Sequence, residues 1–569
     1  MTISSIRALR IPISRVLGVL AIALGLIPAF WGGIDGGDSV RYLNMSRALA
    51  EGHWTGIING LWSPLYPILH GFTLFVLRPS WKQELRVVDL TDFVIYVFSV
   101  VCFSFFWEQV LVLYKKNCGH PSSDGPHAIL SQASFWILGF TIFLFSHLPL
   151  ISAGTPDLLL AAIVNLAAGI LLRIRLGGGH CVRFAVLGAT LGVGYLTKAV
   201  LLPLSLIFLA CAIFGSALDR RKLVGGLIAC GVFLAVASPF IWALSKKDGH
   251  FTTGDSGKLN YAWHVNGIPG LNWQGQPPGF GFPLHSTTRI LDLPEAYEFP
   301  ASPDEIYPPF DNAPYWNDGI KMRFVFSNQI RSWKRNTLEC LKSFWYQGLL
   351  LVGVFIILGI VGSAKEVLRQ FARTWYLWVP VLATILMYVT IHWEERYISP
   401  FMAMGWASLL CLVRLPDHQN SRRLLKALVI VVVAVLIFRT GIVTLKDVLH
   451  NHRTTKQNLE IAEALYAAGF APNEKIAEVN AYVAIWEWLA RVSVVAEISD
   501  AYPRALCPAS RDKQTQIYDR LAATGARILI ASPVPPWASN SDWQEIGDTT
   551  MYVYFLDGRS QKSNSKRLP

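Results

Sequence analysis

Charge is what this 569-residue chain has least of: Asp, Glu, Lys and Arg make up 15% of it, against 53% hydrophobic residues. A soluble domain carries about 25% charge, so a water-exposed globule is excluded and a polytopic membrane protein is indicated. Cysteine is thin as well. Its eight residues are scattered, mostly in apolar segments, with Cys118 and Cys181 in basic loops. Neither a disulfide framework nor a zinc spacing is visible, and the C-terminal tail has no glycine-rich phosphate loop. The repeats across two halves and mid-span acidic residues that mark transporters are missing too. That weighs against a multipass transporter or lipid flippase, the rival class. The formal charge of +12 is not a nucleic-acid signal, because Lys and Arg fall mostly in alternate loops.

What is present is a series of apolar runs, many near the roughly 20 residues a bilayer requires. They read as spans at 12–31, 91–114, 130–151, 157–174, 183–198, 199–217, 223–243, 346–363, 375–391, 399–414 and 427–445. Arg7, Arg10 and Arg15 before the first run could mimic a signal peptide. No small-residue cleavage site precedes Trp31-Gly32, so a retained span is expected. Basic residues at 7–15, 115–116, 173–183, 220–222, 365–373 and 414–426 all fall on one side, expected to be the cytoplasm. The other side receives the loops 32–90 and 244–345 and the tail from 446. The expected domains are therefore 1–445, a membrane domain of about eleven helices, and 446–569, outside the cytoplasm. The tail reads as a small α/β unit with strands near 475–479, 492–498, 526–531 and 551–556. Loop 244–345 is rich in aromatics, so it should be ordered against the membrane domain.

Candidate chemistry sits on the outer side. Asp38 and Tyr42 stand four apart on one face of an amphipathic helix, Val40 to Ala50, after the glycine-rich run Gly33 to Gly37. Asp38 suits a helix N-cap as well as a general base, and Asp35 is the nearby alternative. Asp157 follows Thr155-Pro156, a sequence that capping and the helix dipole explain. If Asp157 converges with Asp38, the two acids can bind a divalent cation or orient a hydroxyl. Lys198 ends a span, where it can snorkel or meet a lipid phosphate. Arg396, in Glu394-Glu395-Arg396-Tyr397, can fork onto a phosphate or pair with a neighbouring Glu. The outer histidines His53, His264 and His285 show no metal spacing.

Taken together, these motifs resemble the bacterial dolichyl-phosphate-mannose-protein mannosyltransferase-like membrane glycosyltransferases, the GT-C class that includes aminoarabinose transferases. The resemblance lies in Asp38-Ser39-Val40-Arg41-Tyr42, Ser63-Pro64-Leu65-Tyr66-Pro67, Pro156-Asp157, Leu196-Thr197-Lys198 and Arg396-Tyr397-Ile398-Ser399-Pro400, over roughly residues 10–415. It departs where Ser39 replaces the family's usual Glu and where a Lys-Pro-Pro is absent, which keeps a non-catalytic member of the fold as an alternative. The resemblance implies an all-α GT-C-like membrane domain in a bacterial inner membrane, N-terminus cytoplasmic and C-terminus periplasmic. It implies a polyprenyl-phosphate sugar donor, a glycan, lipid or protein acceptor, and inversion. Asp38 would be the catalytic base, with Asp35 and Asp157 beside it. Lys198, Arg396 and Tyr397 would bind the donor phosphate, and Tyr42, Tyr66 and His264 the substrate.

Overall fold

A computed structural model of the chain describes residues 12–34, 36–118, 127–128, 130–177, 180–214, 220–302, 304–361, 364–412, 415–416, 418–481, 483–499, 509–557 and 567–568. Asp35, Arg7, Arg10 and Arg414 lie outside the described residues. Long apolar runs fold as helices because each helix satisfies its own backbone groups where no water can. Helices Ile13–Trp31, Glu84–Cys118, Gln132–His147, Asp157–Gly177, Cys181–Thr197, Leu201–Ile213, Arg220–Asp248, Phe326–Val361, Trp375–Ile391, Glu395–Leu412 and Gln419–Ala467 each overlap one expected span. Among the described residues, six helical stretches are long and apolar enough to cross a membrane, and others, such as Cys181–Thr197 and Trp375–Ile391, are shorter.

The helices pack through aromatics. Phe103 stacks on Trp107 with ring centroids 5.4 Å apart, and Trp107 Nε1 donates to Phe135 O at 3.1 Å. Helix Asp157–Gly177 meets Glu84–Cys118 closely at Gly169, where a Cβ would come within 2.4 Å of Phe105.

The last span belongs to a helix of 49 residues. At 1.5 Å per residue it runs about 70 Å, well beyond the roughly 30 Å apolar core of a bilayer. The first residues of the tail thus continue that span as helix, and the helix carries the rest of the tail. The tail strands Lys475–Val479, Ser493–Ile498 and Ile528–Ala531 run parallel to one another, and Tyr552–Phe555 joins antiparallel. Two further strands come from loop 244–345. Glu295–Glu298 pairs antiparallel with Ser493–Ile498, and Thr288–Asp292 forms the edge beyond it. Loop and tail therefore share one sheet. Pairing over some two hundred residues leaves no local signal, which is why the sequence pattern alone assigned the sheet to the tail.

Helix Asp38–Ala50, expected as an amphipathic helix over Val40 to Ala50, is sealed between layers, with Ser39 through Leu49 buried. Its Tyr42 and Met45 join the membrane-domain core, while Val40 and Leu43 join the core beneath the tail sheet. Its polar side chains hold the outer layers down. Arg41 faces Asp311 at 3.9 Å, Asn44 Nδ2 donates to Asp304 O at 2.8 Å, and Arg47 donates to Trp488 O at 2.6 Å and Glu84 at 2.5 Å.

Candidate active site

Asp38 is the first residue of its helix, not the cap. Gly37 takes the N-cap position at φ 69, a backbone state that favours glycine, and makes no side-chain cap bond. Gly37 N donates to Val483 O of the tail at 2.9 Å, which fixes the turn. The Asp38 carboxylate is thereby left for another partner: Arg396 Nη2 donates to its Oδ2 at 2.6 Å. The cation comes from the tight turn between Trp375–Ile391 and Glu395–Leu412, closed by Tyr397 N donating to Glu394 O at 3.1 Å.

Arg396 is shared among three carboxylates. Besides Asp38, its Nε donates to Glu394 Oε2 at 2.6 Å, and its Nη1 stands 4.0 Å from Asp157 Oδ2. Burial opposes the charged guanidinium, but Asp38 and Asp157 outweigh it and raise the Arg396 pKa. Burial likewise opposes charge on Glu394, yet the bonds from His392 and Arg396 bring it down to about 2.

Asp157 is fully buried. Its Oδ2 accepts from Thr155 Oγ1 at 2.9 Å and its Oδ1 from Lys198 Nζ at 2.5 Å. Helix Cys181–Thr197 ends because Lys198 turns to an extended backbone, φ −156 and ψ 129, which aims the ammonium at Asp157. The same ammonium lies 4.3 Å from the Tyr397 ring centroid. A lysine placed by an acid and a ring is held, not merely snorkelling.

Of the expected site residues, Asp38, Asp157, Lys198, Arg396 and Tyr397 thus form one cluster. His264 stands at its edge, stacked on His392 at 3.8 Å, which in turn reaches Glu394 at 3.2 Å. Burial, then His392 and Arg335, lower the His264 pKa to about 4, so its ring is neutral at pH 7. Tyr42 is buried edge-on against Trp62 and Tyr66. Burial, then the charges of Asp38 and Asp157, push its hydroxyl well up. Tyr66 is not brought to the cluster: its hydroxyl donates to Asp92 at 2.8 Å, beside His70. Among the described residues, no group of three or more His, Cys, Asp and Glu side chains is arranged to hold a metal ion.

A cavity of about 240 Å³ opens beside the cluster, lined by Arg396, Arg439, Ser146, Ser343, Phe145 and Met402 among others. Arg439, from the Gln419–Ala467 helix, pairs with Glu395 at 3.1 Å. Farther along three of these helices, Gln132–His147, Glu395–Leu412 and Gln419–Ala467, toward the basic loops, lies a small apolar cleft of about 40 Å³ lined by Leu138, Ile142, Trp406, Leu410, Leu428 and Val432 among others. Sequence reasoning missed Arg439 and His392. Arg439 had a signal, as a charge inside an otherwise apolar run; His392 had none.

The sequence matches no protein-family model and no curated protein. The fold does match. ArnT from Cupriavidus metallidurans bound to undecaprenyl phosphate superposes with a TM-score of 0.54 at 12% identity, over 98% of this chain and 99% of that one. The apo state of the same protein gives 0.53 at 14% identity, over 95% and 97%. The chain thus shares the fold of the GT-C-type membrane glycosyltransferases that its motifs resemble.

Proposed function

We propose that this chain moves a sugar from a polyprenyl-phosphate donor to an acceptor hydroxyl on the non-cytoplasmic face of a bacterial inner membrane. The carrying observation is the convergence of Asp38, Asp157 and Lys198 on Arg396, which also lines a cavity with a second arginine, Arg439. A separate apolar cleft lies farther along three of the helices that line this cavity. Two guanidinium forks suit a phosphate. The bound lipid of the similar ArnT structure supports the same donor class.

In this mechanism the donor phosphate takes over Arg396 and meets Arg439. The acceptor oxygen attacks the anomeric carbon from the far side, Asp38 takes its proton, and the carbon–phosphate-oxygen bond breaks with its electron pair leaving on the phosphate. Inversion follows from the single displacement. A positioned base contributes about 10²–10⁴-fold. Arg396, with Lys198 behind it, stabilises the charge that accumulates on the leaving oxygen. Asp157 touches no open space, so its work is to hold Lys198 and bias Arg396. The shared sheet of loop and tail, docked on Gly37 through Val483, walls the acceptor side.

The test compares lipid intermediates and surface glycans of cells with and without the gene. Loss of the gene should accumulate one polyprenyl-phosphate sugar and remove one sugar from one acceptor. Unchanged intermediates together with unchanged glycans would overturn the assignment.

A further inference from the structure

The outer end of helix Phe326–Val361 reverses the usual sense of an amphipathic helix. Its buried stripe is polar and bonded. Gln329 Nε2 donates to Thr390 O at 2.9 Å, Ser332 Oγ to Ile391 O at 3.2 Å and Asn336 Nδ2 to Val389 O at 3.0 Å. Its exposed side carries two stripes at the three- and four-residue spacing that aligns helical side chains. One is apolar: Phe326, Ile330, Trp333 and Leu341, 64%, 46%, 40% and 61% exposed. The other is basic: Arg331, Lys334, Arg335 and Lys342, all exposed. A bonded polar inner face with an apolar outer face suits lipid, not water.

The bonds to residues 389–391 set this stretch level with the end of Trp375–Ile391, beside the turn that supplies Arg396. The basic stripe therefore lies at headgroup depth on the membrane face of the cluster. Four cations are thus concentrated on one exposed helix face. Among the described residues, Arg331 and Lys334 have no acidic partner; Lys342 pairs with Glu339 at 2.7 Å, and Arg335 donates to His264 O at 3.0 Å. The stripe also leads somewhere. Ser343 and Phe344, next after Lys342, line the cavity that Arg396 and Arg439 share.

We infer that Arg331, Lys334, Arg335 and Lys342 form a docking surface for phosphate-bearing anionic lipids of this leaflet, beside the mouth through which a lipid phosphate reaches Arg396. The destination rests on the donor class proposed above; the surface does not. Basic side chains at headgroup depth attract anionic lipid and bond phosphate oxygens.

The experiment uses the full chain in nanodiscs of phosphatidylcholine with or without phosphatidylglycerol, free of any sugar donor, with retained lipids counted by native mass spectrometry. The wild type should retain phosphatidylglycerol in preference to phosphatidylcholine. The exposed double variant Arg331→Gln/Lys334→Gln should lose about fivefold of that preference for each charge removed, and high salt should act likewise. Equal retention of the two lipids by the wild type, or an unchanged preference in the double variant, would sink the inference. So would displacement of phosphatidylglycerol by a soluble heparin oligosaccharide at equal charge, which points to a glycan partner. A phosphatidylglycerol preference without any binding of undecaprenyl phosphate at Arg396 would instead keep the surface and remove the donor class.

Discussion

Arg396 Nη2 donates to Asp38 Oδ2 at 2.6 Å across 358 residues of sequence. The group proposed to hold the leaving phosphate and the group proposed to take the acceptor's proton are thus bonded to each other before any donor arrives. On the proposed mechanism a phosphate would compete with Asp38 for the guanidinium, so donor binding would loosen the base from its cation and ready it for the acceptor.

Asp38→Asn tests the base directly. The amide keeps the shape and one oxygen acceptor for Arg396, while losing the ability to take a proton. Fold and donor binding should persist, and transfer should fall by about two to four orders of magnitude. Asp35→Asn should do less. Near-normal transfer by Asp38→Asn, measured with radiolabelled donor in proteoliposomes, would leave Asp38 as a partner of Arg396 and nothing more.

The two cavity arginines should separate from the base in the same assay. Arg396→Met and Arg439→Met each remove one charged hydrogen-bonding group, worth about 1.5–3 kcal/mol. Affinity for undecaprenyl phosphate should therefore drop roughly ten- to a hundredfold in each. Unchanged affinity in Arg439→Met would confine the phosphate to Arg396 and detach the cavity from the donor.

Much of this was legible from residues alone. Among the described residues each of the eleven apolar runs overlaps a helix, since lipid leaves them no other way to satisfy their backbone. Asp157, Lys198 and Arg396, each with a bland explanation of its own, gained significance only through convergence, which no local pattern reports. The helix Val40 to Ala50 read as amphipathic, yet its Arg41 and Arg47 are buried, beneath a sheet built jointly from loop and tail. Tyr66, chosen for its motif, spends its hydroxyl on Asp92, twenty-six residues away in sequence.

Lys198 is where function and stability are entangled. Its partner Asp157 is 1% exposed at the side chain, Lys198 itself 21%. Removing one member of such a pair strands a buried charge, at a cost of about 3 kcal/mol after allowing for the partly exposed ammonium. Lys198→Met should therefore lower thermal stability as well as transfer. The double variant Lys198→Met/Asp157→Leu should recover most of the stability while remaining inactive. If Lys198→Met is as stable as the wild type, the ammonium is not what holds Asp157 in place.

Loop 244–345 should respond to pH through Glu305. Burial, though offset by Arg41, raises its carboxyl from 4.5 to about 7. The folded state thus favours the protonated acid, and that stability is complete below pH 4.5 and lost as pH rises through about 7. His264 has the opposite sign: held at about 4, its contribution is complete above 6.5 and fades on acidification. Between pH 6.5 and 8 only the Glu305 slope remains of the two. Limited proteolysis should cut loop 244–345 faster at pH 8 than at pH 6.5, and Glu305→Gln should abolish the difference. A variant with the wild-type difference would assign the pH response elsewhere.

Orientation is the prediction on which the side of the chemistry depends. The basic clusters at 115–116, 173–183 and 422–426 lie at the helix ends opposite Asp38, Lys198 and Arg396, and the basic end should stay in the cytoplasm. In intact spheroplasts, an impermeant maleimide should label single cysteines placed at 255, in the loop, and at 510, in the tail, on a background lacking other cysteines. A lone cysteine at 118, the end of Glu84–Cys118, should label only after permeabilisation. Labelling at 118 with protection of 255 and 510 would invert the chain. The cluster would then face cytoplasmic sugar donors, and a polyprenyl-phosphate donor on the outer face would no longer fit the site.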